Sequence, residues 1–216
     1  YLDTKHPIIV ENLMGIKRVK GINQKAKKPI LISNLKQIIK VINQSEEKYT
    51  KKLRDKSLLL IGFSGGFRRS ELVSIEIEDI EFVSEGVKIF IRRSKTDQSG
   101  EGMIKAIPYF ENEEFCPVKN LKLWITQSNI KSGKIFNISD KSVVLIIKKY
   151  VELAGLDPKR YAGHSLRSGF ATSTAESGAE ERSIMAMTGH KTTQMVRRYI
   201  KEANLFKNNA LNKIKI

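Results

Sequence analysis

Apolar positions recur at intervals of three and four residues along most of the chain, and at intervals of two in one central stretch. Residues 8–19, IIVENLMGIKRV, carry the helical interval in Ile8, Leu13 and Ile16. GINQKAKKPI follows; it is basic, led by glycine and closed by proline, and reads as a linker. Ser33 then caps a predicted helix whose stripe is Leu35, Ile38, Ile39 and Ile42. LRDKSLLLIGFSGG, residues 53–66, is a second helix, apolar enough to be buried and stopped by two glycines. RRSELVSI, residues 68–75, is a short third helix. Alternation takes over at Ile80 and Phe82. It turns at Ser84-Glu85-Gly86 and resumes at Val87, Ile89 and Ile91, which is the pattern of a hairpin.

MIKAIPYF, residues 103–110, supplies a third strand. Helical spacing then returns over 119–128, 142–155, 164–177, 180–187 and 193–212. The helix over 142–155 gathers Val143, Ile147, Tyr150, Val151 and Ala154 on one face and ends at Gly155. These elements predict a mainly α protein with a small antiparallel β-sheet, an α+β class.

Composition narrows the setting. The 216 residues suffice for one large domain, or one domain and part of another. No apolar run reaches about 18 residues, so no transmembrane helix is expected. No signal-peptide layout opens the chain, which points to the cytoplasm. The single cysteine, Cys116, excludes an internal disulfide and fits a reducing compartment. The first residue is Tyr1 rather than Met, as expected of a processed, trimmed or cut chain.

Charge points to a partner. Lys and Arg number 39 against 23 acids, a net +16. Residues 1–56 hold 14 basic side chains against five acidic ones. Such an excess fits a polyanion, most often nucleic acid, although a solvated lysine-rich surface has the same composition.

Four short stretches carry candidate chemistry. GGFRRSEL places Arg68 where glycines let a ligand approach backbone and a helix begins. RRSKTDQSGEG holds Lys95 between the second and third strands. GHSLRSGFAT puts His164 and Arg167 three residues apart, on one face at a helix start. TGH and RRYIKEANLF bring His190 and, nine residues later, Tyr199. Taken singly, each has an ordinary structural reading. Jointly, in this order and at these separations over residues 30–210, they resemble the tyrosine recombinase, or phage integrase, family.

The resemblance implies a tyrosine recombinase catalytic-domain fold over 29–216. Residues 1–28 would be the end of an N-terminal core-binding domain and its basic linker. By position, Arg68 matches the first catalytic arginine and Glu71 an acidic residue supporting it. Lys95 matches the hairpin lysine, His164 and Arg167 the H-x-x-R box, His190 the histidine upstream of the nucleophile, and Tyr199 the nucleophile. Thr188 stands where the family often has Leu, and Ser168 where some members have a second His.

The implied reaction is DNA cleavage and rejoining through a 3′-phosphotyrosine, with no metal, ATP or other cofactor. Consistently, three His and one Cys offer no metal-ligand spacing, and no Walker loop is present. Arg68 and Arg167 would neutralise the transition state, with His164 or His190 adding donors. His164 would serve as base and Lys95 as acid for the leaving oxygen. Lys17, Arg18, Lys20, Lys25, Lys27 and Lys28 would bind backbone phosphates of double-stranded DNA.

A homo-tetramer on DNA is expected, with a monomer in solution allowed, at a cytoplasmic, nucleoid-associated location. The apolar stripe Leu205, Phe206, Ala210, Leu211 and Ile214 would pack either on its own core or on a neighbouring protomer. The alternatives are a type IB topoisomerase-like enzyme that nicks and reseals, and an inactive DNA-binding remnant of a mobile element.

Overall fold

A computed structural model describes residues 3–4, 6–21, 27–92, 102–204, 206 and 210–214. Helix α1 (Pro7–Lys20) opens the chain with proline in its first turn and Lys17, Arg18 and Lys20 in its last, and it buries no residue. Four helices follow: α2 (Ile32–Gln44), α3 (Tyr49–Ser64) and α4 (Arg69–Ser74) before the strands, and α5 (Pro117–Gln127) after them. The strands β1 (Ile80–Phe82), β2 (Gly86–Ile91) and β3 (Met103–Pro108) form one antiparallel sheet in the order β1-β2-β3. Helices α6 (Asp140–Leu153), α7 (Ser165–Glu176), α8 (Glu181–Thr188) and α9 (Thr193–Ala203) complete it. The expected class and hairpin are both present, and the strands pair with Phe82 opposite Val87.

The main core joins α2, α3, α5, α6 and the inner sheet face, through side chains such as Ile39, Leu58, Val87, Leu121 and Val151. A smaller cluster of Ala171, Ala175, Ile184 and Val196 holds α7, α8 and α9 together, with Tyr199 packed on its edge. Helix α7 therefore belongs to both clusters. Its position is fixed further by the segment just before α2. Ile30 N–H donates to Ser165 O, and a Cβ added at Gly169 would sit 1.9 Å from Ile30 O. Gly169 of GHSLRSGFAT is small because a backbone segment lies on it.

Three predicted boundaries shift. Ser33 is not the cap of α2: the cap is Leu31, two residues earlier, and Ile32 N–H donates to the Ser173 hydroxyl of α7. Helix α3 begins at Tyr49, a turn before the expected start. The last helix ends at Ala203 instead of running to 212, and Ala210–Lys213 form a separate 3-10 turn. Phe206, Leu211 and Ile214 are 85%, 67% and 59% exposed, so they do not pack on their own core. Leu205 lies outside the described residues.

Candidate active site

The site is built where helix ends meet. Helix α3 stops in a Schellman turn. Gly66, at φ +55, donates its N–H to Phe63 O, while Phe67 N–H reaches Gly62 O. The turn leaves two carbonyls facing inward. Gly66 O accepts from Arg167 Nη1 at 2.8 Å, and Gly65 O accepts from Lys105 Nζ at 2.7 Å. The next residue, Arg68, is the N-cap of α4. Its backbone N–H donates to Glu71 Oε2 at 2.9 Å, and its Nη1 pairs with Glu71 Oε1. Glu71, itself 3% exposed, thus closes the helix start and holds the guanidinium with one carboxylate.

Arg167 is 1% exposed, yet its Nε and Nη2 have no hydrogen-bond partner among the described residues. Buried donors left unmade cost about 1–3 kcal/mol each, and more when charged. Among the described residues, two guanidinium donors are thus left ready for an acceptor.

His164, the N-cap of α7, is exposed on one side, and its Nε2 lies 3.2 Å from the Tyr199 hydroxyl of α9. His190 stacks at a tilt beside the same phenol, ring centroids 6.1 Å apart. Its Nδ1 is 2.7 Å from Thr188 Oγ1. That hydroxyl has one proton and gives it to Ile184 O at 2.6 Å, so Nδ1 must carry the proton it shares with Oγ1. Neutral His190 therefore presents a bare Nε2, and only its protonated form can donate from that atom.

The electrostatics have one sign. Partial burial, then the charges of Arg167 and Arg68, hold His164 below its ordinary 6.5. His190 is pushed down to about 4 by burial first, then by Arg167, Arg68, His164 and Lys105. Burial and Arg68 lower Arg167 to about 10, and burial lowers Lys105 to about 7; Glu71 opposes both. Each group is driven toward its neutral form, as expected of buried, clustered cations that the single Glu71 carboxylate does not offset.

The predicted residues Arg68, Glu71, His164, Arg167, His190 and Tyr199 thus come from four separate segments into one place. Lys95 and Lys25 lie outside the described residues. Lys17, Arg18 and Lys20 are exposed on α1. Lys27 Nζ donates to Lys159 O, and Lys28 N–H to Arg160 O, which laces the segment before α2 toward α7. Lys105 and the tautomer-setting role of Thr188 were not read from the sequence. The described residues contain no cluster of three or more metal-ligating side chains.

The sequence matches the phage integrase family over residues 32–205. The chain belongs to the phage integrase family. Among this family's curated members, an integrase/recombinase xerD homolog of Selenomonas ruminantium is 47% identical over 214 residues, spanning 94% of this chain and 62% of that protein. The tyrosine recombinase XerA of Pyrococcus horikoshii is 26% identical, with 97% and 73% covered. The chain therefore spans less than two thirds of the first of these relatives. The integrase-family fold is equally clear in three dimensions. XerH site-specific recombinase bound to its palindromic difH substrate, in a post-cleavage complex, aligns with a TM-score of 0.68 at 20% identity, over 88% of this chain and 57% of that one. The Tn1549 transposon integrase with circular-intermediate DNA aligns at 0.64, 15% identical, over 85% and 64%.

Proposed function

We propose that this integrase-family chain cleaves and rejoins DNA as a site-specific recombinase, with Tyr199 as nucleophile. The observation that carries the reading is the buried Arg167 guanidinium with two unmade donors, set beside Arg68 and a tyrosine–histidine pair. A phosphodiester supplies the missing acceptor. Its pentacoordinate transition state carries more negative charge than the ground state, and Arg68 and Arg167 offset it where metal ions do so elsewhere.

In the proposed step, the phenol oxygen attacks phosphorus while its proton passes to His164 Nε2. The P–O5′ bond breaks, leaving a 3′-phosphotyrosine and a 5′-oxygen. That oxygen takes a proton from Lys95, and a second strand's 5′-hydroxyl reverses the sequence. The covalent link conserves the bond, so no ATP is consumed. His190 donates to a phosphate oxygen only once the anion has restored its proton.

Residues 29–216 are read as the catalytic domain. Residues 1–28 are read as the end of a core-binding domain and its linker, in keeping with an α1 that buries nothing while exposing Ile8, Leu13 and Ile16. Lys17, Arg18, Lys20, Lys25, Lys27 and Lys28 would meet backbone phosphates. A plot of log K for DNA against log salt is expected to fall with a slope of about −5 or steeper for six such contacts. A flat plot would remove the electrostatic part of the account. The exposed Phe206, Leu211 and Ile214 support a homo-tetramer on DNA, with this segment docking on a neighbouring copy. No described helix is long and apolar enough to cross a membrane, and the proposed place of action is the DNA of the cytoplasm.

Nicked duplexes of randomised sequence, incubated with the chain in EDTA, test the reading. The freed fragment diffuses away, so a covalent protein–DNA adduct accumulates. No adduct would favour a DNA-binding remnant. Junctions formed between two duplexes, which need more than one protomer, separate a recombinase from an enzyme that only nicks and reseals.

The pH dependence follows from His164. Below its depressed pKa the imidazole is protonated and cannot accept the phenol proton. Adduct formation at subsaturating DNA is therefore expected to fall on the acid side of the ordinary 6.5. His164→Asn should flatten that limb and slow the step about 100-fold, the low end for a general base, because water can reach this exposed position. A limb that persists in the variant would assign it to another group.

A further inference from the structure

Lys105 lies on the inward face of β3, opposite Ile89, and is 0% exposed. A lysine is rarely placed there without a partner that demands its charge. Here the partners are two helix C-termini. Nζ donates to Gly65 O, at the C-cap of α3, and to Met187 O, in the last turn of α8. It also sits 4.8 Å from the Phe67 ring centroid. Terminal carbonyls lack helical partners and carry the negative end of the helix dipole, so one ammonium satisfies both ends at once.

We infer that Lys105 is a positioning residue: its ammonium ties the arginine-bearing turn after α3 to the end of α8, from which the segment carrying His190 and Tyr199 departs. The α3 side presents Gly66 O to Arg167 and leads into Arg68. The α8 side continues through Thr188 and Gly189 to His190 and α9. Charged groups facing Lys105 are Glu71 and Arg68 from the α4 turn, Arg167 from α7, and His190 beyond α8. Glu71 is the attractive one and the cations repel, so burial beside them is retained for what the two carbonyl bonds hold in place. The 82-residue separation between Lys105 and Met187 makes this a tie between distant parts of the chain.

The catalytic consequence rests on the proposed DNA cleavage; the structural one does not, and two readouts on the full chain keep them apart. The first is the rate of adduct formation on the duplexes recovered from the randomised pool. The second is amide hydrogen exchange, which needs no activity. Lys105→Met should slow adduct formation about 10- to 100-fold with DNA affinity within about threefold of the parent. Exchange should speed up in residues 188–199 while α3 and α5 keep their protection. Lys105→Arg, which retains charge and donors, should recover most of both. Unchanged adduct formation and exchange in Lys105→Met would overturn the inference, as would exchange that rises equally across α3, β2 and α9. If the parent forms no adduct but exchange changes as stated, the cleavage reading fails and the tie remains.

Discussion

Tyr199→Phe is expected to form no covalent adduct with DNA while binding it as the parent does. The substitution removes one oxygen from a half-buried ring. That ring is held by packing against the cluster of Ala171, Ala175, Ile184 and Val196, which does not need the hydroxyl. The loss is therefore chemical: the atom 3.2 Å from His164 Nε2 is the proposed nucleophile, and phenylalanine has nothing to attack with. Gel-shift affinity and denaturing-gel adduct yield, measured on the same duplexes, separate the two properties. A Phe variant that still becomes linked to DNA would move the nucleophile elsewhere.

Arg167→Ala is expected to slow adduct formation by about 10²–10³, the usual effect of removing one preorganised donor to a transition-state oxyanion. Lys should not restore it. Arg167 spends Nη1 on Gly66 O and keeps Nε and Nη2 unmade, a division that a planar fork permits and a point charge does not. The cost to folding is expected to be smaller than for most buried side chains. Burial and the neighbouring Arg68 already disfavour the charged form, so truncation relieves repulsion as well as opening a cavity. Single-turnover rates with a urea melt of each variant check both parts. A stable Arg167→Ala protein that cleaves at the parent rate would contradict the assignment.

Much of the fold was legible because its stripes are clean. Leu35, Ile38, Ile39 and Ile42 are buried as their spacing implies, and so are Val87, Ile89 and Ile91 on the hairpin. The start of α2 moved for a long-range reason: the Ser173 hydroxyl of α7 accepts the Ile32 N–H and anchors the first turn ahead of Ser33. The candidate site was legible only as a joint pattern. His164, Arg167, His190 and Tyr199 are each commonplace, and their convergence depends on α7, α8 and α9 closing on a cluster of small side chains.

Lys105 was hidden for a different reason. In MIKAIP the apolar Ile104 and Ala106 suggest one inward face, yet pairing of Ile107 with Val87 turns the other face in. Ile104 is 64% exposed and the lysine is buried. Local hydrophobicity could not show that two helix ends wait there for a cation. Thr188 was visible only as a departure from the family's usual leucine; its hydroxyl acts on His190 through a bond between near neighbours.

The central claim is that the Tyr199 phenol and the Arg68–Arg167 pair act on one phosphorus. Mapping the trapped adduct by peptide mass spectrometry, with the DNA end identified by digestion, tests it most directly. The account predicts a nucleotide joined through its 3′-phosphate to the Tyr199 oxygen. A link to any other side chain, or through a 5′-phosphate, would contradict it.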